Sequence, residues 1–115
     1  MNKIILSGRL TRDIELRHDG KGNSFASSVL AVDNNNINPD TGKREADFIP
    51  FAIKGNGAEH LAKSCRKGSR LLIEGHLQIR QYVAIDGAKH WKAEVFTTYY
   101  EFLDPKPKTE EPKAI

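Results

Sequence analysis

The sequence is poor in cysteine and contains no long apolar run, and both shortages restrict where the chain is expected to work. Its single cysteine, Cys65, cannot form an intramolecular disulfide, which favours a reducing compartment. No stretch approaches the roughly 18 apolar residues of a transmembrane helix. The N-terminus also lacks the basic, apolar and small-residue regions of a signal peptide. We therefore expect a cytoplasmic protein.

The motifs that many enzymes require are missing as well. There is no glycine-rich phosphate loop followed by Lys-Ser/Thr, no HExxH sequence and no nucleophile elbow. The histidines are scattered without the spacing of metal ligands, at His18, His60, His76 and His90. Asp13 and Glu15 lie close together, but paired acids in a charged segment are usually only solvated. We expect no enzymatic activity, no cofactor and no bound metal.

The sequence also has only a small excess of basic over acidic side chains. The 115 residues carry 18 basic and 15 acidic side chains, a formal net charge of +3. This balance permits a nucleic-acid partner without requiring one. With 38% hydrophobic residues, the chain is expected to fold as one domain with a modest core.

The most informative segment is Arg70–Tyr82, in which polar and apolar side chains alternate from Ile73 onward. A period of two predicts a β-strand with one buried face and one solvated face. We expect Gly75, Leu77 and Ile79 on the buried face. A strand of this length has to bend within a small domain, and Gly75 is the expected place.

Similar patterns predict four further strands and one helix. The strands are expected at Asn2–Leu10, Ser24–Asp33, Ala46–Lys54 and Lys89–Leu103, and the helix at Asn56–Arg66. Turns are expected at 18–23 and 84–87, with a long hairpin loop at 34–44. Five strands with a helix between the third and the fourth is the order of the OB-fold, a Greek-key barrel whose face and loops bind oligonucleotides or oligosaccharides. The predicted class is therefore all-β with an OB-fold.

The helix carries its own start and stop patterns. Asn56 is expected to cap it, with Glu59 completing a capping box, and Gly68 is expected to close it. Cys65 falls on the apolar stripe of this helix, which favours a core residue over a catalytic thiol.

The last segment, 104–115, has three prolines and no core-forming pattern, so we expect a disordered tail after a folded domain of residues 1–103. Its three lysines are balanced by one aspartate and two glutamates. The expected domain therefore retains the whole net charge.

Aromatic residues recur beside cations on the expected outer faces of the strands. Phe48 accompanies Lys54, Arg80 accompanies Tyr82, and Trp91 has lysines on both sides, at Lys89 and Lys92. Rings that stack on unpaired bases, together with cations that follow the phosphates, are the elements of single-stranded nucleic-acid binding. The alternative is that Phe48 and Trp91 are core residues, because a period-two assignment can slip by one position.

The sequence also resembles the bacterial-type single-stranded-DNA-binding proteins over residues 2–103. The resemblance lies in KIILSGRLTRDIELR, GKREADF, AEHLAKSCRKGSRLLIEGHL and VFTTYYEFL, in this order. It implies an OB-fold protein that forms homotetramers and wraps single-stranded DNA in replication, recombination and repair, with proteins of these pathways as partners. It places Phe48 and Tyr82 at base-stacking positions, Lys3, Arg17, Lys67 and Arg80 at phosphate-binding positions, and Trp91 at an aromatic position of the last strand.

Three departures qualify this resemblance. Asn36 and Lys54 occupy positions where the family often has a stacking aromatic, so the platform is thinner and relies more on charge. Pro50 interrupts a strand and favours an edge position or a bulge. The short tail lacks an acidic, apolar tip, which suits a phage or plasmid member. An OB-fold protein-interaction module of a replication or primosome assembly, with weak DNA affinity, stays open as the alternative.

Overall fold

A computed structural model of the chain describes residues 1–104, in which six strands and one helix form the regular structure. In chain order they are β1 (Ile4–Leu10), β2 (Glu15–His18), β3 (Ser24–Ile37), β4 (Arg44–Lys54), α1 (Asn56–Ser64), β5 (Arg70–Val83) and β6 (Lys89–Phe102). The predicted all-β class is confirmed. The short β2 was not predicted, because its four residues are all exposed and show no apolar alternation.

The strands form one sheet that closes on itself. Their order is β1-β5-β6-β4-β3-β2, and β1 pairs additionally with β3 through Arg9–Ala31 and Leu10–Leu30. The ring β1-β5-β6-β4-β3 is therefore complete, and β2 lies outside it as an antiparallel partner of β3. The strands and α1 enclose a core that contains Phe51, Leu30, Leu61, Leu71, Ile73 and Val95 as its largest fully buried apolar side chains.

Strand β5 agrees with the predicted segment to within one residue, but its apolar face is only partly buried. Leu71, Ile73 and Gly75 are buried as expected, whereas Leu77 and Ile79 are 40% and 51% exposed. The expectation for these two residues was wrong because pairing with β1 ends at Gly75. Beyond Gly75, residues 77–83 of β5 pair only with β6, and residues 89–94 of β6 pair only with β5. We call this two-stranded extension the arm.

Gly75 lies where the long strand changes its register. The pairing of β5 with β6 shifts between Glu74 and Gly75, which marks a β-bulge. A Cβ atom at Gly75 would collide with the carbonyl oxygen of Phe96. The predicted special role of this glycine has a direct cause, which is the close approach of the β6 backbone.

Part of the predicted loop at 34–44 belongs to the strands. β3 continues to Ile37 and β4 begins at Arg44, so the connection covers only 38–43. The three consecutive asparagines form a bulge rather than a loop. Asn35 has a φ of 66°, and the side-chain Nδ2 of Asn34 donates a hydrogen bond of 3.1 Å to the Asp47 carboxylate. Polar composition was therefore a poor guide to the end of β3.

Strand β4 follows the predicted alternation. Phe51 and Ile53 are buried and Ile49 is partly buried. Pro50 pairs with Val29 of β3, while contact with β6 is confined to Phe51 and Ala52. Pro50 thus lies in the part of β4 that has only one neighbouring strand, which agrees with the expected edge position.

Helix α1 is shorter than predicted and is capped differently. Its N-cap is Gly55 at φ 82°, and no side chain caps it. Glu59 does not form the expected capping box, because its carboxylate accepts a hydrogen bond of 2.8 Å from the Ser24 hydroxyl. The helix ends at Ser64 instead of Arg66. Its buried stripe, Ala58, Leu61 and Cys65, is confirmed.

Two further expectations from the sequence concern the C-terminal tail and transmembrane helices. The predicted tail at 104–115 falls, except for Asp104, outside the described residues. Asp104 itself accepts a hydrogen bond of 2.8 Å from the Arg70 amide at the start of β5. Within residues 1–104, no helix is long and apolar enough to cross a membrane.

Candidate nucleic-acid interface

One side of the sheet gathers four of the nine predicted site residues, namely Phe48, Lys54, Arg80 and Tyr82. Residues that face each other across two strands point to the same side, and alternate residues along a strand share that side. Arg80 faces Lys92, Tyr82 faces His90 and His76 faces Phe96, while Phe96 pairs with Ala52 of β4. We call this side the outer face, and it carries Phe48, Lys54, His76, Arg80, Tyr82, His90, Lys92 and Phe96.

Tyr82 lies near the tip of the arm with its ring half exposed. The His90 ring stacks against it, with 5.5 Å between centroids and 26° between planes. Contact with His90 covers one side of the ring, and the side chain remains 50% accessible. Tyr82 is therefore placed to stack on an unpaired base.

Arg80 lies two residues nearer the barrel and contacts an acid. Its Nη2 atom is 3.7 Å from Glu94, whose side chain is almost fully buried. The buried carboxylate holds the guanidinium close to the sheet. Arg80 nevertheless keeps more than half of its side-chain surface exposed. It can contact a phosphate without leaving Glu94, since a guanidinium has five N–H donors.

On β4, Phe48 and Lys54 lie at opposite ends of the outer face, six residues apart or roughly 20 Å along the strand. Phe48 is 67% exposed, so the alternative that it is a core residue is wrong. The Lys54 Nζ atom lies 5.6 Å from the centre of the Phe96 ring, within cation–π distance. His76 packs on the same ring, with 5.4 Å between centroids.

Trp91 is exposed but does not join this group. It is 68% accessible, so it is not a core residue. Its partner across the arm is Gln81, whose side chain points away from that of Tyr82. The expectation that Lys89 and Lys92 both accompany Trp91 was wrong, because successive residues of a strand alternate and only Lys89 shares its side. Trp91 therefore lies on the reverse side of the arm.

The remaining predicted residues are dispersed. Lys3 contacts Glu74 at 3.4 Å, and Arg17 of β2 forms an ion pair with Glu15. Lys67 lies in the turn between α1 and β5, where its amide donates to Asp13 at 2.7 Å. Asn36 lies in the β3 bulge, and its amide donates to the Asn34 side chain at 3.0 Å. The structure does not bring Lys67 or Asn36 into the group on β4 and the arm.

Sequence reasoning missed His76, His90 and Phe96 on the outer face, and it grouped Lys92 with Trp91 instead of with Arg80. The Asp-Gly turn offered a way to find two of them. Because Val83 faces Lys89 across this turn, counting away from the turn along both strands places His90 opposite Tyr82 and Lys92 opposite Arg80. Phe96 could not be found in this way, since its place beside Lys54 depends on the long-range pairing of β4 with β6.

The groups that could do chemistry are either unreactive or isolated. Burial, with a smaller effect from the Asp104 charge, raises the pKa of the Cys65 thiol to about 11. Within residues 1–104, no group of three or more histidine, cysteine or acidic side chains is arranged to hold a metal ion. The outer face offers rings and cations, which suit binding to a nucleic-acid strand.

Comparison with known proteins agrees with a surface that suits nucleic-acid binding. The profile of the Single-strand binding protein family matches residues 1–103, and the chain belongs to this family. Membership identifies the closed sheet as the predicted OB-fold and confirms the resemblance seen in the sequence.

Three curated relatives illustrate the similarity. The chain is 41% identical over 106 residues to a single-stranded DNA-binding protein of Bacillus cereus, covering 92% of this chain and 62% of the relative. It is 39% identical to single-stranded DNA-binding protein 2 of Listeria monocytogenes, covering 92% and 66%. It is 42% identical to a single-stranded DNA-binding protein of Clostridium tetani, covering 90% and 71%. The chain thus spans less than two thirds of the first two relatives.

Proposed function

We propose that this chain binds single-stranded DNA without sequence preference, through the outer face of residues 1–103, and that it is not an enzyme. The observation that carries the proposal is that Phe48, Lys54, Arg80 and Tyr82 share one exposed side of the sheet. Rings provide stacking surfaces for any base, and cations provide contacts to phosphates. A chain with this role protects single-stranded DNA during replication, recombination and repair.

The mechanism divides between the two kinds of side chain. Each stacked base contributes roughly 1–3 kcal/mol, independently of its identity. Lys54 has no ion pair within residues 1–104, whereas Arg80 contacts the buried Glu94. Lys54 therefore gives up no salt bridge when a phosphate approaches, and we expect it to contribute strongly to the electrostatic attraction.

We also propose that the chain works as a homo-oligomer, with a tetramer as the expected state. Most of β1 pairs with β5 on one side only, because its contact with β3 is limited to Arg9 and Leu10. Ile5 and Tyr99 are at least half exposed on the adjacent sheet. An unpaired strand edge beside exposed apolar side chains favours association with another copy. Sedimentation equilibrium tests this, and a monomer at micromolar concentration would contradict it.

The function is tested by titrating a fluorescently labelled poly(dT) with the protein at low salt. We expect saturable binding at a fixed number of nucleotides per protomer. An OB-fold module that mainly binds replication proteins in the cytoplasm is the second candidate, suggested by the apolar reverse side of the arm, where Leu77, Ile79 and Trp91 are exposed. Weak binding that does not saturate would favour that module instead.

A further inference from the structure

A groove lies beside the outer face, between the β2–β3 turn and the start of α1. Its volume is about 520 Å³, within the usual range of roughly 300–1,000 Å³ for ligand pockets. An added Cβ atom at Gly22 or at Gly55 would have no neighbour within 4 Å, so the space beside each of these two bordering glycines is open. The lining residues are Gly22, Asn23, Ser24, Phe25, Lys54 and Gly55, followed by Asn56 and Glu59.

Phe25 is an aromatic residue of this groove that belongs to neither the core nor the predicted site. It faces Arg17 of β2 on one side and Lys54 of β4 on the other. Because Lys54 lies on the outer face, all three side chains point to that side of the sheet. Phe25 is 41% exposed, so its strand presents a ring to solvent between two cations.

The charges around the groove determine the orientation in which a nucleotide can bind there. Glu59 lies at the helix side of the groove and is held there by the Ser24 hydroxyl. Its negative charge disfavours a phosphate at that side. Lys54 lies on one strand that flanks Phe25 and has no ion pair within residues 1–104, so it favours a phosphate on the sheet side. Arg17 lies on the other flanking strand, where it already forms an ion pair with Glu15. The arrangement therefore favours a base in the groove and its phosphate above the sheet.

We propose that this groove is a subsite for one nucleotide of a bound single strand, with the base stacked on Phe25 and the phosphate next to Lys54. The proposal rests on the proposed function, and it extends the path of the strand from the arm across β4 to β3. Lys54 would then contact the strand midway along this path, because it lies over the Phe96 ring on one side and faces Phe25 on the other.

The test measures poly(dT) affinity over a range of salt concentrations for the unmodified protein, Phe25→Ala and Lys54→Ala. We expect Phe25→Ala to weaken binding by about 5- to 100-fold at every salt concentration, because one stacking partner is lost and no charge changes. Lys54→Ala is expected to make the log–log salt slope shallower by about 0.7, the share of one phosphate.

Phe102→Ala is the matched control, since Phe102 is 40% exposed and faces the buried Leu71 on the opposite side of the sheet. It should bind as the unmodified protein does. Phe25→Leu keeps an apolar side chain without a ring and serves if the alanine variant does not fold. Its folded state is checked by circular dichroism, and the same loss of affinity is expected.

The outcomes separate the two proposals. If the unmodified protein does not bind poly(dT), the proposed function fails and the subsite fails with it. If the unmodified protein binds and the folded Phe25 variants bind within twofold of it, the subsite alone is rejected. An equal loss in Phe25→Ala and Phe102→Ala also rejects the subsite, because the loss would not depend on the outer face.

Discussion

The rings of Phe48 and Tyr82 point outward because of their strands and not because of contacts of their own. Phe48 lies three positions before Phe51 and Tyr82 lies nine positions after Ile73, so the alternation of each strand turns the ring away from the core. An outward ring exposes apolar surface to water, and a bound base would cover that surface. At the scale of single residues, the proposed interface consists of side chains that keep exposed surface for a binding partner.

Tyr82→Ala is expected to weaken binding of poly(dT) by roughly 1–3 kcal/mol, the contribution of one stacked base. The free energy of unfolding should change little, since a half-exposed side chain leaves no core cavity. Fluorescence titration and urea denaturation measure the two quantities. Tyr82→Phe retains the ring and should bind as the unmodified protein does. A variant that is unstable yet binds normally would show that Tyr82 supports the fold instead.

Cys65 provides a second residue-scale prediction because burial raises its pKa to about 11. At pH 8 only about one thiol in a thousand is then ionised, and the thiolate is the reactive form. Alkylation by iodoacetamide should be slow in the folded protein and should accelerate up to about pH 11. The same chain in urea is the control and should react much faster at pH 8. Equally fast labelling of both forms would contradict the burial of this thiol.

The raised pKa also has a consequence for stability. Because the folded state disfavours the thiolate, the Cys65 thiol stabilises the folded protein to its full extent at pH values below 9.0, the ordinary pKa of the group. This contribution is lost as the pH rises from there through about 11. Between pH 9.0 and about pH 11, the Cys65→Ala variant should therefore lose less stability than the unmodified protein.

At the scale of elements, the arm depends on the bulge at Gly75. The β6 backbone approaches β5 so closely there that a methyl group would overlap the Phe96 carbonyl. The closed ring of strands and the two-stranded arm meet at this point, since β1 pairs with β5 only up to Gly75. The position of Arg80 and Tyr82 relative to β4 therefore depends on this contact.

Gly75→Ala is expected to destabilise the protein by about 1–3 kcal/mol or more, as overpacking of a tight site does. Urea denaturation followed by circular dichroism measures the change. Gly20→Ala is the matched control, because an added Cβ at Gly20 has no neighbour within 4 Å and its φ is not positive. A Gly75→Ala variant as stable as Gly20→Ala would mean that the strands can separate at the bulge without cost.

The elements also explain how far the sequence could predict the fold and the site. Alternation located β4 and β5 closely, because their buried faces carry regular apolar residues, and aromatic and β-branched composition located β6. It could not locate β2, whose residues are all exposed, or the strand character of Asn34 and Asn36. The side of Trp91 follows from the register of the arm, and the position of Phe96 follows from a pairing between distant strands. Such long-range pairings leave no local pattern.

At the scale of the whole molecule, the total charge is too small to account for attraction to DNA. The net charge is only +3, and three of the predicted cations, Lys3, Arg17 and Arg80, already contact acids. Attraction to a phosphate chain must therefore come mainly from cations that have no ion pair within residues 1–104, such as Lys54 and Lys92, and not from the overall field. Binding that combines such cations with stacking rings should prefer a single strand, because the bases of a duplex are already stacked on one another.

The most direct measurement is the affinity of the protein for a labelled oligo(dT) between low and moderate salt, with duplex DNA of equal length as competitor. We predict saturable binding, weak competition by the duplex and a log–log salt slope of about −2 or steeper, since three neutralised phosphates contribute about −0.7 each. A slope near zero, or a duplex that competes as well as the single strand, would contradict the central claim that rings and cations on the outer face bind single-stranded DNA.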